Sequence, residues 1–179
     1  DLWGRLRDLE KAARSDYQAA LLDFESARLS IAAQTARAWT SLTSAHLRKK
    51  LAAETTESYQ TNLGIIQNRF RQGLASALDL RLTQASLTRA RAGFENQSRQ
   101  EAVAQRALET LLTRYPAGKA PPSESLPELK TNIPAGIPAQ LLERRPDIRA
   151  ARLRLLASGI REREAAKGFL PNIGLTNST

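Results

Sequence analysis

The sequence of 179 residues contains no cysteine and no methionine, and His46 is its only histidine. Disulfide bonds, thiol chemistry and metal sites built from sulfur ligands are therefore excluded for this chain. One histidine cannot build a histidine-rich metal site, and on a long helix such a residue is usually a surface or packing residue. We therefore expect no metal and no cofactor.

Long apolar runs and catalytic motifs are also missing. No run approaches the roughly 20 apolar residues that a membrane-spanning helix needs. A Gly-rich phosphate loop and a GxSxG nucleophile motif are absent, and His46 alone offers no Ser-His-Asp arrangement. We expect no enzymatic activity. The first residues, "DLWGR", have neither an initiator methionine nor an apolar leader, which is typical of a processed or excised piece.

The formal net charge is +9, from 27 basic and 18 acidic side chains. Acids are interleaved with bases along the chain, as on solvated helix faces, and the longest basic run is Arg48-Lys49-Lys50. We therefore expect no nucleic-acid binding. A basic helical nucleic-acid binder is kept as a competing hypothesis, which a steep salt dependence of binding would support.

Proline is absent before Pro116, and all eight prolines lie at or beyond it. This divides the chain into helical residues 5–115, a loop-rich segment at 116–145 and a second helical region from 146. Aromatic residues make up only 5% of the chain, and alanine dominates the apolar set. Small side chains favour close helix–helix contact, so an elongated bundle is expected.

The first helix is predicted from about Leu6 to Arg71, which would be roughly 100 Å long. A heptad-like stripe predicts a coiled-coil seam along it. The stripe comprises Leu6, Leu9, Ala13, Tyr17, Ala20, Phe24, Ala27, Ile31, Ala38, Leu42 and Ala45, and continues more loosely through Tyr59, Leu63, Ile66 and Phe70. Because no compact domain of this size holds such a helix, it must pair along its length.

A turn is predicted between this helix and the next. Gly73 gives the backbone freedom to end the first helix. Ser76 and Asp79 have capping-box spacing and start the second. The second helix is expected to reach about Tyr115 and to form an antiparallel hairpin with the first. Its apolar positions are Ala85, Ala92, Val103, Ala107, Leu108 and Leu111.

A third helix is predicted from Pro146 and Asp147, which suit a helix start; Arg145 and Asp147 could form a salt-bridged turn there. Its apolar face comprises Ile148, Leu153, Leu156 and Ile160. Helices two and three laid end to end would nearly match helix one. A short helix at 138–144 is expected in the loop. Both ends of the chain, "DLWG" and "NIGLT", suggest cut strands.

The predicted fold class is all-α: a long antiparallel coiled-coil hairpin, a third collinear helix and a loop-rich equatorial segment, flanked by truncated β-strand stubs. The predicted divisions are a hairpin at 1–115 with its tip at 69–80, the loop-rich segment at 116–145, and the third helix leading into a strand at 146–179.

Four stretches resemble the TolC/NodT-type outer-membrane factors of tripartite efflux systems. They are "DLWGR" at 1–5, "RFRQGLASALDLRLTQA" at 69–85, "LLERRPDIRAARLRL" at 141–155 and "FLPNIGLT" at 169–176. Their order and spacing match the family across the whole chain. The pairing of "RRPDI" with "FLPxIxLT" some twenty residues later is the most specific part.

The resemblance implies a homotrimer in the outer membrane of a Gram-negative bacterium. Each protomer of the family is an internal duplication that adds four strands to a shared barrel and long helices to a periplasmic tunnel. This chain would be the periplasmic helical portion of the first repeat; the barrel strands, a lipid-bearing N-terminus and the second repeat would lie outside it. Such a conduit exports small molecules, binds a periplasmic adaptor protein and meets an inner-membrane RND transporter indirectly.

The resemblance also implies that the hairpin tip docks to the adaptor and closes the tunnel. Gly73, Leu74 and Ser76 are expected nearest the adaptor. For Asp79, a polar link to a neighbouring helix in the closed state and simple helix capping both remain open. The partner-binding and gating residues implied by position are Arg69, Phe70, Arg71, Gly73, Leu74, Ser76, Asp79 and Leu80.

The two tryptophans are Trp3 and Trp39. Trp3 is expected either at a barrel–helix junction near the membrane interface or in simple packing, and Trp39 in packing. The competing function is a coiled-coil hairpin of a periplasmic adaptor or another helical interaction module. Adaptors usually carry Gly/Val-rich strands beside the hairpin, and none flank this one.

Overall fold

The computed structural model describes residues 1–128 and 143–171, and three helices account for most of them. They are α1 (Arg5–Arg71), α2 (Ala77–Leu111) and α3 (Pro146–Lys167). The described residues contain no strand, so the predicted all-α class is confirmed. The predicted strand after Pro171 and nearly all of the predicted helix at 138–144 lie outside the described residues.

The chain divides into two units that α1 passes through. Unit 1 comprises Asp1–Ser30 and Ile133–Thr179, and unit 2 comprises Ile31–Asn132. In unit 1, the first part of α1 pairs with α3. In unit 2, the remainder of α1 pairs with α2. Each part of α1 therefore has a helical partner, as the great predicted length of this helix required.

The start of α1 is fixed by Asp1. Its carboxylate accepts hydrogen bonds from the backbone N–H groups of Arg5 and Leu6, both at 2.8 Å. These amides have no partner inside the helix, so the carboxylate acts as a cap at the positive helix end. The strand expected at residues 1–4 is absent: these residues form a turn, because a lone segment has no neighbouring strand to complete a ladder.

Unit 1 is built on small and polar side chains. The buried seam of α1 comprises Asp8, Ala12, Ser15, Ala19 and Leu22, and α3 contributes Ala150, Ala157 and Ile160. Leu153 packs at the edge of the Ala19–Leu22–Ala150 cluster. Alanines at the contact let two helices approach closely.

A ladder of ion pairs runs beside this seam. Lys167 contacts Asp8 at 2.6 Å and Arg5 contacts Glu164 at 2.5 Å. Arg161 with Asp16 and Arg154 with Asp23 continue the ladder. The partners of Asp8, Asp16 and Asp23 are Lys167, Arg161 and Arg154, so numbers that rise along α1 meet numbers that fall along α3, and the two helices are antiparallel.

The apolar stripe predicted as the seam at the beginning of α1 is wrong for this chain. Leu6, Leu9, Tyr17, Phe24 and Ile31 are between 40% and 67% exposed. The buried positions 8, 15 and 22 are offset by two residues from positions 6, 13 and 20. Two residues correspond to about 200° around an α-helix, so the two stripes lie on opposite faces. Periodicity located the apolar stripe but could not show which face meets α3.

Unit 2 buries larger apolar side chains. Leu42 is fully buried and Leu63 is 8% exposed on α1, opposite a helix that buries Leu87 and Leu108 at 4% each. The predicted burial of Leu42, Ala45, Leu63 and Leu108 is therefore confirmed, whereas Tyr59 and Phe70 of the predicted stripe are 40% and 41% exposed. The other α2 positions in the prediction, Ala85, Ala92, Val103 and Ala107, are exposed, and Leu111 is intermediate.

The end of α2 lies four residues before the predicted Tyr115. The N–H of Thr113 donates to the carbonyl of Thr110 at 3.0 Å, and the N–H of Arg114 donates to that of Glu109 at 2.9 Å. This is a Schellman motif, with Thr113 in the left-handed region at φ 56°. A β-branched residue is strained there, so no sequence rule would place the end of the helix at this position.

The Glu109 carboxylate holds the chain after this turn. It is 4% exposed and accepts hydrogen bonds from the backbone N–H groups of Gly118, Lys119 and Ala120 at 2.7, 2.5 and 2.9 Å. The hydrogen bond from Gly118, followed by those from its neighbours, holds the pKa of Glu109 below its usual 4.5 although burial opposes this. The Glu109 side chain thereby holds residues 118–120 against α2 by hydrogen bonds.

Candidate functional site at the hairpin tip

The tip begins with a second Schellman motif, at the end of α1. The N–H of Gly73 donates to the carbonyl of Phe70 at 3.0 Å, and the N–H of Leu74 donates to that of Arg69 at 2.8 Å. Gly73 has a φ of 73°, which glycine adopts without strain. A Cβ at this position would meet no atom within 4 Å, so the backbone alone requires glycine.

The start of α2 completes the tip. Ser76 is the N-cap, and its hydroxyl oxygen accepts from the backbone N–H of Asp79 at 3.0 Å. The Asp79 carboxylate accepts from the backbone N–H of Ser76 at 3.1 Å and from its hydroxyl at 2.7 Å. The predicted capping box is therefore formed, with aspartate in place of the commoner glutamate.

The predicted capping role of Asp79 is therefore confirmed. The hydrogen bonds from the Ser76 hydroxyl and then from the Ser76 backbone lower its pKa below the usual 3.8. The carboxylate is ionised in neutral solution, and it lies at the positive end of α2. A further link from Asp79 to a neighbouring helix stays a prediction.

The structure brings the predicted tip residues together in the last turn of α1, the connection and the first turn of α2. Leu80 is intermediate in exposure, at the beginning of the helix pair. All the others are exposed: Arg69, Phe70, Arg71, Gly73, Leu74, Ser76 and Asp79. The turn therefore holds its shape by backbone hydrogen bonds and the capping box, and it leaves the side chains of Arg69, Phe70, Arg71 and Leu74 exposed.

Two apolar residues at the tip were absent from the predicted set. Leu78 is 66% exposed and Leu82 is 55% exposed, and Leu74 in the preceding connection is 74% exposed. Leu78 and Leu82 are four residues apart and therefore share one face of α2. This spacing was the signal that could have identified them from the sequence.

A buried carboxylate joins the two helices of the hairpin. Glu101 is 7% exposed and contacts His46 Nδ1 at 2.6 Å and Lys49 Nζ at 2.7 Å. Burial would raise the pKa of Glu101, but the hydrogen bonds from Lys49 and His46 outweigh it and lower the pKa below 4.5. His46, on α1, therefore forms a polar contact with Glu101 on α2. Among the described residues, no three His, Cys, Asp or Glu side chains cluster as metal ligands would.

The two tryptophans and the turn before α3, which lie outside the tip, contact other residues of the chain or are partly buried. The Trp3 indole N–H donates to the carbonyl of Pro171 at 3.0 Å, and Trp39 is half-buried. The predicted salt-bridged turn before α3 is formed, with Arg145 donating twice to Asp147 at 3.1 and 2.7 Å. None of the described helices is long and apolar enough to cross a membrane.

Known proteins match this chain along nearly its whole length. The family model described as outer membrane efflux protein matches residues 1–119. The toluene efflux pump outer membrane protein TtgF of Pseudomonas putida is 39% identical over 177 residues, which are 98% of this chain and 37% of TtgF. Outer membrane protein OprJ of Pseudomonas aeruginosa is 36% identical over 180 residues, covering 99% of this chain and 38% of OprJ.

The fold is shared with solved structures. A membrane protein from Pseudomonas aeruginosa superposes with a TM-score of 0.86 at 34% identity, over 95% of this chain and 40% of that protein. The chain thus spans little more than a third of the length of its relatives. The match to the efflux family, rather than to a periplasmic adaptor, decides between the two competing assignments. The predicted resemblance is confirmed, and the chain belongs to the outer membrane efflux protein family.

Proposed function

We propose that the chain forms the periplasmic helical segment of an outer-membrane efflux channel and that its hairpin tip docks to a periplasmic adaptor protein. The observation that carries the proposal is the construction of the tip. Two local motifs, the Schellman turn at Gly73 and the capping box at Ser76, fix the connection without using its large side chains. Phe70, Leu74 and Leu78 are left 41% to 74% exposed at this end of the hairpin.

The remaining parts of the proposal follow the family. Residues 1–115 form the hairpin, residues 116–145 the equatorial segment, and residues 146–179 the third helix leading into a strand. Three copies assemble in the outer membrane, the adaptor links them to an inner-membrane RND transporter, and small molecules pass through without catalysis. The same tip, including Asp79, gates the channel.

The exposed apolar stripe of α1 supports assembly with further helices. Tyr17, Phe24 and Ile31 are 55% to 65% exposed along one face, opposite the face that meets α3. Large apolar side chains repeated along a helix are typical of an interface. In the proposed channel, helices of the second repeat or of a neighbouring protomer cover this face.

A chimera tests the proposal. In TtgF, the matched 177 residues are replaced by this chain, and the chimera is expressed in a Pseudomonas putida strain that lacks TtgF. We expect toluene tolerance to be restored. A chimera that reaches the outer membrane at the TtgF level but restores no tolerance would contradict the proposed function.

The tip assignment is tested by Gly73→Val in the same chimera. Because φ is 73° at this position, valine forces the turn to rearrange. We expect about a tenfold loss in the amount of adaptor that co-purifies with the chimera, as for the loss of a well-positioned interface residue. Gly64→Val is the matched control, since Gly64 lies inside α1 with open space beside it. Equal adaptor recovery for the two variants would contradict docking at the tip.

A further inference from the structure

The tip half of the hairpin carries more basic than acidic side chains. Between residues 60 and 94 there are five arginines and one acidic residue. The arginines are Arg69, Arg71, Arg81, Arg89 and Arg91, and the acid is Asp79. The imbalance of four positive charges is concentrated in 35 residues of a chain whose net charge is +9.

None of these five arginines forms an ion pair within the described residues. Arg71, Arg81 and Arg91 instead donate to the side-chain amide oxygens of Asn68, Gln84 and Gln60. Arg89 donates to the Ser86 hydroxyl and to the Ala85 carbonyl. Four of the five guanidinium groups are therefore oriented by neutral groups, and none of the five is neutralised by a carboxylate within the described residues.

Four basic side chains of unit 1 do form ion pairs between helices. Arg5, Arg154, Arg161 and Lys167 each contact a carboxylate on the opposite helix. An exposed arginine whose side chain meets no carboxylate within the described residues can pair with a carboxylate of a partner.

Asp79 is the one carboxylate among residues 60–94, all of which the structure describes, and it already has hydrogen-bond partners within the chain. Asp79 accepts from the hydroxyl and the backbone N–H of Ser76 at the N-terminus of α2. It therefore stabilises the helix start and offers little compensation to Arg69, Arg71 or Arg81, which are all exposed.

The basic and apolar groups of the tip lie side by side in the sequence. Arg69 and Arg71 flank Phe70 at the end of α1, and Arg81 lies between Leu80 and Leu82 in the first turns of α2. An apolar centre with a charged rim is the usual composition of a protein-binding surface. A nucleic acid would use the positive charge but not the exposed leucines, and binding to a lipid surface is measured separately in the test below.

We infer that the adaptor surface that receives this tip is an apolar seat rimmed by aspartate or glutamate side chains. The inference rests on the proposed docking of the tip and adds the chemistry of the partner. Carboxylates facing Arg69, Arg71 and Arg81 accelerate association and exclude partners whose docking surfaces are basic.

Binding of the immobilised 179-residue chain to the purified adaptor of the pump that contains TtgF tests the inference. The variants are a triple Arg→Glu and a triple Arg→Lys change at positions 69, 71 and 81. Arg37→Glu is the matched control, because Arg37 is exposed on α1 about 48 Å from Arg69 along the helix. Circular dichroism verifies that each variant keeps its helices.

We expect the triple Glu variant to bind at least about 30-fold more weakly, and the triple Lys variant and Arg37→Glu to stay within about threefold of the unmodified chain. Raising NaCl from about 50 to about 500 mM should weaken the unmodified chain about tenfold and the Glu variant hardly at all.

The other outcomes separate the inference from the docking proposal. Unchanged binding of the Glu variant, together with loss of binding in Gly73→Val, overturns the acidic seat and leaves docking standing. Equal losses of binding in the Lys and Glu variants would also overturn the acidic seat, because the adaptor would then not recognise the positive charge of these side chains. Absence of adaptor binding by the unmodified chain contradicts docking and the inference together, whether or not the chain binds vesicles containing phosphatidylglycerol.

Discussion

The two units of this chain join their helices by different means. Unit 1 buries mainly alanines and a serine in the seam, with Asp8 and Leu22, and adds four ion pairs beside it, three of them with one side chain more than half exposed. Unit 2 buries leucines together with the carboxylates of Glu101 and Glu109, which are 7% and 4% exposed. Exposed pairs contribute little and are screened by salt, whereas buried carboxylates leave unsatisfied partners when they are removed. The two units should therefore respond to different perturbations.

Each unit contains one tryptophan, so the comparison can be measured within one molecule. Trp3 belongs to unit 1 and Trp39 to unit 2. In a Trp39→Phe background fluorescence reports unit 1, and in a Trp3→Phe background it reports unit 2. Urea unfolding followed in both backgrounds gives a midpoint for each unit.

The largest expected effect is that of Leu42→Ala in unit 2. Leu42 is fully buried, so its truncation should lower the unfolding free energy seen by Trp39 by about 3 kcal/mol. Leu51→Ala, at a position 63% exposed, is the control and should cost little. Similar losses for both variants would show that unit 2 has no leucine core.

Acid should act on unit 2 through Glu109. Because its pKa is lowered in the folded chain, its contribution is complete above its ordinary pKa of 4.5 and is lost as the pH falls below that value. Glu109→Gln should therefore lower the Trp39 midpoint at about pH 7, and the difference from the unmodified chain should shrink towards about pH 3. A difference that is constant with pH would contradict a role for the carboxylate charge.

Thr113→Gly should stabilise unit 2. Threonine at φ 56° carries strain that glycine relieves, and the gain seen by Trp39 should be about 1 kcal/mol. The Trp3 midpoint should not change. Thr110→Gly, in the last turn of α2 itself, is the control and should destabilise. A loss of stability in Thr113→Gly would show that the threonine side chain is needed at this turn.

The smallest expected effect concerns the ladder of unit 1. A double-mutant cycle on Asp16→Asn and Arg161→Gln should give a coupling of about 0.5 kcal/mol at low salt, because both side chains are partly exposed. This coupling should vanish in about 1 M NaCl. A coupling that survives high salt would show that the pair acts as a buried one and would remove the difference between the units.

Features with local causes could be predicted from the sequence. The bounds of α1, the turn at Gly73 and the capping box of Ser76 and Asp79 depend on residues within one turn of one another. The start of α3 at Pro146 is of the same kind. All of them are present in the structure.

Features set by pairing could not be predicted in the same way. α1 carries an apolar stripe and a small-residue stripe on opposite faces, and only the position of α3 decides which is buried in unit 1. The end of α2 depends on a strained threonine that no propensity favours. The role of Glu109 could have been suspected from the sequence. A carboxylate in the last turn of a helix interacts unfavourably with the helix dipole, which indicates that other contacts stabilise it.

Cross-linking from the tip tests the central claim most directly. The chain has no cysteine, so a single cysteine introduced in place of Leu74 carries a photoreactive cross-linker at one known position of the segment. In the assembled chimera with TtgF, we predict cross-links between position 74 and the adaptor, and none from the same reagent at Arg37→Cys. Adaptor cross-links from position 37 together with none from position 74 would contradict docking at the hairpin tip.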